Sequence, residues 1–121
     1  MKLSTARCAF SVCIAELVLH AVSLGFDVAL DEGTVHITPK NPTGNHMRLS
    51  VHYDGLAQDV LLYRKGVYLT SSTDYAVLGS FWKELGVKKG IPLAWGGDFK
   101  ASDGKPKPDG NHFSYEWEGR K

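Results

Sequence analysis

The chain has 121 residues, 43% hydrophobic and 22% charged, which suits one domain, residues 1–121, with a single packed core. Its formal net charge is +1, so it lacks the broad basic field with which proteins grip a nucleic acid backbone, and no nucleic acid partner is expected. The two cysteines, Cys8 and Cys13, are too few for a disulfide framework, and their spacing points them to different faces of a helix as small, partly buried residues.

In chain order, Phe10, Ile14, Leu17, Val18, Ala21 and Leu24 recur at helical spacing. This predicts an amphipathic helix capped near Ser4 or Thr5 and ended at Gly25. Glu16 interrupts the apolar run "CAFSVCIA" and no small-residue cleavage site follows. The stretch therefore reads as a helix of the domain rather than an export signal, and as too broken to span a membrane. "FDVAL" (26–30) and "TVHIT" (34–38) read as short strands joined by a turn, followed by the loop "PKNPTGNH" (39–46). "AQDVLLY" (57–63) reads as a strand that returns as "VYL" (67–69) through a three-residue loop, "RKG" (64–66). "SSTD" (71–74) offers caps for a second helix with Leu78, Phe81, Trp82 and Leu85 in one stripe, ended by Gly86. "PLAW" (92–95) and "NHFSYEW" (111–117) supply short strand pieces. Between them, Gly96–Gly110 has little to bury; within it Asp98–Pro108, with Lys100, Lys105 and Lys107, fits either a plain loop or a mobile basic lid. Lys88–Lys89 and Arg120–Lys121 read as solvated patches. This order predicts an α+β fold: a small, mainly antiparallel sheet with helices packed on one side.

"SVHYDGLAQDV" (50–60) carries the first chemical signal, with His52 and Asp59 seven residues apart. As one extended strand their ends would lie roughly 23–25 Å apart, and as one helix about 10 Å. A turn at Asp54–Gly55 brings them together, because glycine takes the positive φ that reverses a chain, and small Ala57 lets the backbone pass closely. A catalytic zinc site takes three protein ligands and a water. Of the remaining histidines, His20 lies on the first helix, His36 mid-strand and His46 in a polar loop, whereas His112 enters a strand three residues after Asp109. An aspartate so placed can take a proton from a metal-activated water without being a ligand. On spacing alone a second reading stands: Asp54, Asp59 and Asp109 form turns and His112 is a surface strand residue.

"SVHYDGLAQD" is also similar to the S-x-H-x-x-G-x-A-x-D signature of the D-alanyl-D-alanine carboxypeptidase group of zinc peptidases, with Ser50, His52, Gly55, Ala57 and Asp59 on the motif. That group includes vancomycin-resistance D,D-peptidases and phage L-alanyl-D-glutamate endolysins. "WGGDF" (95–99) followed by "DGNHFSYE" (109–116) resembles its second block, so the resemblance covers roughly residues 48–117. It implies zinc held by His52, Asp59 and His112 at one end of the sheet, Asp109 as catalytic base, and Trp95, Gly96 and Gly97 in the site wall. Asp98 is either a second support for the site or a turn residue. The implied reaction is hydrolysis of an amide bond in the peptidoglycan stem peptide, of the L-alanyl-D-glutamate endopeptidase or D-Ala-D-Ala carboxypeptidase type. The implied setting is a monomeric, phage-type lysis enzyme without stable membrane association, made in the host cytoplasm and acting at the wall or periplasm. One departure stands out: where the family carries an arginine before the first block, this chain reads "VHITPK" (35–40), leaving Arg48 or His36 to polarise the carbonyl. The alternatives are a catalytically impaired wall-binding or virion protein of the same fold, and an iron oxygenase. The oxygenase is disfavoured because its acid usually follows the first histidine by two residues on an all-β roll.

Overall fold

The computed structural model describes residues 1–31 and 50–121. The expected strand 34–38, the loop after it, and His36, His46 and Arg48 lie outside the described residues. Helix α1 (Leu3–Ser23) buries Ala6, Phe10, Cys13, Ile14, Leu17 and Ala21, a row at three- and four-residue steps that makes one helical face. Neither Ser4 nor Thr5 caps it: the N-cap is Lys2, with no side-chain hydrogen bond. Its end is close to expectation, with Gly25 at φ +92° and Phe26 N–H donating to Ala21 O. By length and composition alone, α1 does pass as apolar enough to cross a membrane. In this fold its apolar row packs on the sheet and on the second helix. Cys13 is buried, Cys8 is exposed rather than partly buried, and both are free thiols.

The described strands are β1 (Asp27–Leu30), β2 (Ala57–Arg64), β3 (Val67–Tyr68), β4 (Leu93–Trp95) and β5 (His112–Tyr115). They form one antiparallel sheet in the order β1-β2-β5-β4, with β3 also on β2. Strand β2 is the hinge of this arrangement: β5 pairs with its first residues and β3 with its last. The β2–β3 loop has two residues, not three. Lys65 (φ +50°) and Gly66 (φ +78°) are both left-handed and Arg64 pairs with Val67, the twist-matched turn of a tight hairpin.

Ser71 and Asp74 form a reciprocal capping box before a short 3-10 turn, Ser72–Tyr75, which runs into helix α2 (Ala76–Lys89). Gly86 does not end this helix. It is buried inside it, where an added Cβ would sit 3.0 Å from Ile91 O and Leu93 Cβ, and Gly90 at φ +68° makes the C-cap. Trp82 joins the layers. Its ring meets Phe10 of α1 and Phe113 of β5 edge-on, at 5.9 and 5.7 Å between centroids. Its indole N–H donates to Ala94 O (2.9 Å) and Ser114 O (3.2 Å), so a large buried ring is packed without leaving its donor unsatisfied. Lys89 is not simply solvated but pairs with Glu16 of α1 at 2.9 Å.

Residues 96–110 have more structure than their composition implies. A 3-10 turn, Gly96–Asp98, leads into a segment folded back on itself, with Lys107 N–H to Phe99 O (2.8 Å) and Ala101 N–H to Lys105 O (2.9 Å). The segment is pinned by Trp95, whose ring lies where a Cβ on either Gly79 of α2 or Gly97 would fall. Gly79→Ala is therefore expected to destabilise the fold by about 1–3 kcal/mol through overpacking against that ring. Ser80→Ala, on the exposed side of α2, should stay within about 0.5 kcal/mol; urea unfolding of both variants checks this.

Candidate metal centre

Local backbone chemistry places the first donor. Ser50 Oγ accepts from His52 N–H (3.1 Å) and starts a 3-10 turn, Val51–Asp54, that Gly55 closes at φ +71°. Buried Val51 and Leu56 anchor the turn, with Leu56 N–H donating to Val51 O at 3.0 Å. Two cations hold it from outside. An added Cβ at Gly55 would lie 2.6 Å from Arg7 Nε, so the α1 guanidinium covers the turn. Arg120 Nη2 pairs with Asp54 Oδ2 at 2.8 Å, so Arg120 is not part of a merely solvated patch. Sequence separation hid both contacts, since neither arginine lies in the motif they brace.

The other two donors come from strand pairing. In the antiparallel β2–β5 ladder Asp59 stands directly opposite His112, which puts their side chains on one face. Three atoms converge there: His52 Nε2 to Asp59 Oδ1 is 3.4 Å, His112 Nδ1 to Asp59 Oδ1 is 3.6 Å, and His52 Nε2 to His112 Nδ1 is 3.2 Å. Donors bound tetrahedrally at 2.0–2.1 Å are separated by roughly 3.3 Å, the edge of the tetrahedron, so the triangle has the size of a zinc ligand face. His52 and His112 are buried, and Asp59 Oδ1 is buried with no hydrogen-bond partner among the described residues. Burial by itself would raise the Asp59 carboxyl. The adjacent His112 and His52 imidazoles outweigh it and hold the group well below the usual carboxylate range, in the ionised form a metal requires. These residues fit a divalent ion, and their nitrogen and oxygen donors suit zinc.

Asp109 lies outside the triangle. Its N–H donates to Gly96 O (2.8 Å) and its own carbonyl accepts from His112 N–H (3.1 Å), forming the turn that precedes the ligand strand. A Cβ on Gly96 would overlap the Asp109 carbonyl and lie 2.8 Å from His112 Cβ, so only glycine allows this approach. The Asp109 side chain is exposed and makes no hydrogen bond or ion pair among the described residues.

Trp95 occupies a different role from the donors. Its indole N–H is committed to Gly110 O at 2.7 Å, so it braces the Asp109 turn. Asp98 pairs with Lys83 at the surface (2.9 Å) and does not reach the histidines as a support. Phe99, which the motif reading passed over, sets its ring 5.1 Å from that of His112. His20 lies on α1 and stacks on Phe81 at 4.0 Å, outside the donor cluster.

Zinc affinity is expected to fall by more than about 100-fold in His52→Ala, Asp59→Ala and His112→Ala, because each removes one of three donors, whereas Asp109→Asn should bind normally. Metal analysis of the purified variants, together with the rise in melting temperature on adding zinc, distinguishes ligand from base; loss of zinc from Asp109→Asn would overturn the assignment.

No family model matches the chain, and no curated protein sequence matches it. Among solved structures the chain is similar to the crystal structure of the Serratia marcescens L-Ala D-Glu endopeptidase ChiX, with a TM-score of 0.60 and 22% identity over 83% of this chain and 75% of that one. At that identity the likeness shows a shared fold: this chain has the fold of a peptidase, with a buried His-Asp-His group able to hold a metal ion.

Proposed function

We propose that the protein is a zinc-dependent peptidase that cuts an amide bond in the peptidoglycan stem peptide, with the L-alanyl-D-glutamate bond as the preferred target. The observation that carries this reading is the convergence of His52, Asp59 and His112 at tetrahedral-edge spacing, with a separate aspartate, Asp109, on the turn into the ligand strand. The two motif blocks of the zinc D-Ala-D-Ala peptidase group support it, as does the fold shared with an L-Ala D-Glu endopeptidase. The phage-type setting, with synthesis in a host cytoplasm and action at the cell wall, rests on the motif resemblance alone.

A divalent ion in the triangle would supply Lewis acidity, acidifying a water and polarising the substrate carbonyl. The chain's own groups do the rest. Asp59 would hold the ion with a carboxylate oxygen, and His52 and His112 with ring nitrogens. Asp109, whose carboxylate is exposed and uncommitted among the described residues, takes one proton from the attacking water. The water oxygen bonds to the carbonyl carbon, the carbon–nitrogen bond breaks, and Asp109 returns the proton to the leaving nitrogen. One water is consumed, and a carboxylic acid and an amine are formed. Arg48 or His36 is assigned the remaining task of stabilising charge on the carbonyl oxygen, where the family that the motifs resemble carries an arginine.

Digestion of purified peptidoglycan by the zinc-loaded protein, followed by mass analysis of the fragments, tests the reading. New L-alanine C-termini and D-glutamate N-termini are expected, and Asp109→Asn should lower turnover by about 10²–10⁴-fold. Intact peptidoglycan after prolonged incubation with zinc, with the protein sedimenting on the wall material, would instead identify a wall-binding protein that has lost the reaction.

A further inference from the structure

The hairpin formed by residues 99–107 has a register set by two cross-strand hydrogen bonds, Lys107 N–H to Phe99 O (2.8 Å) and Ala101 N–H to Lys105 O (2.9 Å). Lys100 and Pro106 form an antiparallel bridge between them. Side chains alternate along each arm, so Lys100 and Pro106 share one face of the hairpin while Phe99 and Lys107 share the other. The Phe99 face is the one that meets the candidate metal centre, because the Phe99 ring lies 5.1 Å from that of His112. The register thereby separates two lysines of equal charge: Lys107 belongs to the face that meets His112, and Lys100 to the opposite face. The backbone at Lys107 is held on both sides, by its N–H bond to Phe99 O and by Pro108, which restricts the residue before it to extended conformations. Two residues on, Asp109 N–H donates to Gly96 O (2.8 Å). Alternate N–H groups of 107–109 thus both turn toward the Gly96–Phe99 segment, as along an extended strand. In such a run, residues two apart project to one side with Cα atoms roughly 6–7 Å apart, which sets exposed Lys107 beside Asp109.

We propose that Lys107 is a specificity-determining residue for this reaction, pairing with the free carboxylate that a D-glutamate carries beside the leaving nitrogen; the inference rests on the peptidase reading above. Asp109 marks where that nitrogen lies, since it returns the proton to it. The carboxylate is attached to the carbon bonded to that nitrogen, so it falls within the reach of an ammonium on a flexible four-carbon stem two residues from Asp109. The pair selects a stem peptide with an ionised carboxylate over one amidated at the same carbon, because a carboxamide offers the lysine no opposite charge. Lys100, turned to the other face, adds to the general field of the hairpin without making this contact.

Two stem-peptide analogues test the pairing: N-acetyl-L-alanyl-D-glutamate amidated at the γ-carboxyl, and the same compound amidated at the α-carboxyl as well. The zinc-loaded protein is expected to cut the first with a kcat/KM about fivefold higher, the worth of one exposed charge pair. Added salt should shrink that preference by screening the pair. Lys107→Met should bring the two analogues level, with zinc content and far-UV circular dichroism unchanged, and Lys107→Arg should keep the preference. Lys100→Met removes the same charge from the opposite face and should leave the preference intact. Equal cutting of both analogues by the unaltered protein, or an equal loss of preference in Lys100→Met and Lys107→Met, would overturn the role of Lys107 while the peptidase reading stands. Calorimetric titration of both analogues into zinc-loaded Asp109→Asn, with and without Lys107→Met, separates binding from cutting. A protein that cuts neither analogue, yet binds the carboxylate form more tightly only when Lys107 is present, would overturn the peptidase reading and leave the carboxylate contact standing. Cutting neither and binding both alike would overturn both.

Discussion

The pairing of Asp59 with His112 across two antiparallel strands is the constraint on which the rest of the site depends. Side chains alternate between the faces of a sheet, so a slip of one residue between β2 and β5 would send one donor to the opposite face. The core enforces this register. Val60 and Leu62 of β2, and Phe113 of β5, are buried on the alternate positions, and Phe113 is held edge-on by Trp82 of α2. The hydrophobic contacts of the helices thereby act at a distance on the metal donors: moving Asp59 or His112 off the site face would drag a core side chain into water.

Around that pair, close backbone approach does what side chains cannot. Gly96 lets the Asp109 turn lie against His112, Gly110 lets the same turn lie against Ser72, and Gly79 and Gly97 leave room for the Trp95 ring. Trp95 then fastens the turn through Gly110 O. Asp109 and the strand that carries His112 thus share one short, braced segment, while the long excursion between residues 99 and 107 closes its own hydrogen bonds. Converging two imidazole nitrogens and a carboxylate oxygen in a buried place is unfavourable unless a proton or a cation sits among them. The fold accepts that frustration because the packing that creates it lies elsewhere, in the Phe10–Trp82–Phe113 contacts.

Much of the candidate site was legible because its residues are constrained in type as well as in spacing. His52 needed a turn before Asp59, and Gly55 was the residue able to supply it, as its φ of +71° bears out. The α+β class, the hairpin and the capping of the second helix followed from periodicity and turn chemistry. The errors were local. Gly86 looked like a helix stop because glycine usually ends helices, but here it serves packing against Ile91 and Leu93. The hairpin turn is one residue shorter than the sequence suggests, because nothing in a lysine at position 65 signals a positive φ. Asp54 is the turn residue expected before Gly55, and it also anchors Arg120.

By itself the sequence determined the kinds of atom available for chemistry: two histidines and an aspartate in motif spacing, an acid three residues ahead of the second histidine, and glycines at the reversals. These are covalent and conformational properties of single residues and short segments, and they survive translation into structure. Only the tertiary structure decided that His52 Nε2, His112 Nδ1 and Asp59 Oδ1 meet within 3.2–3.6 Å, that the Trp95 indole N–H braces the Asp109 turn, and that Arg7 and Arg120 clamp the first motif. Those outcomes depend on strand register and helix packing between distant parts of the chain, which are set by the whole core at once and leave no mark in any short stretch of sequence.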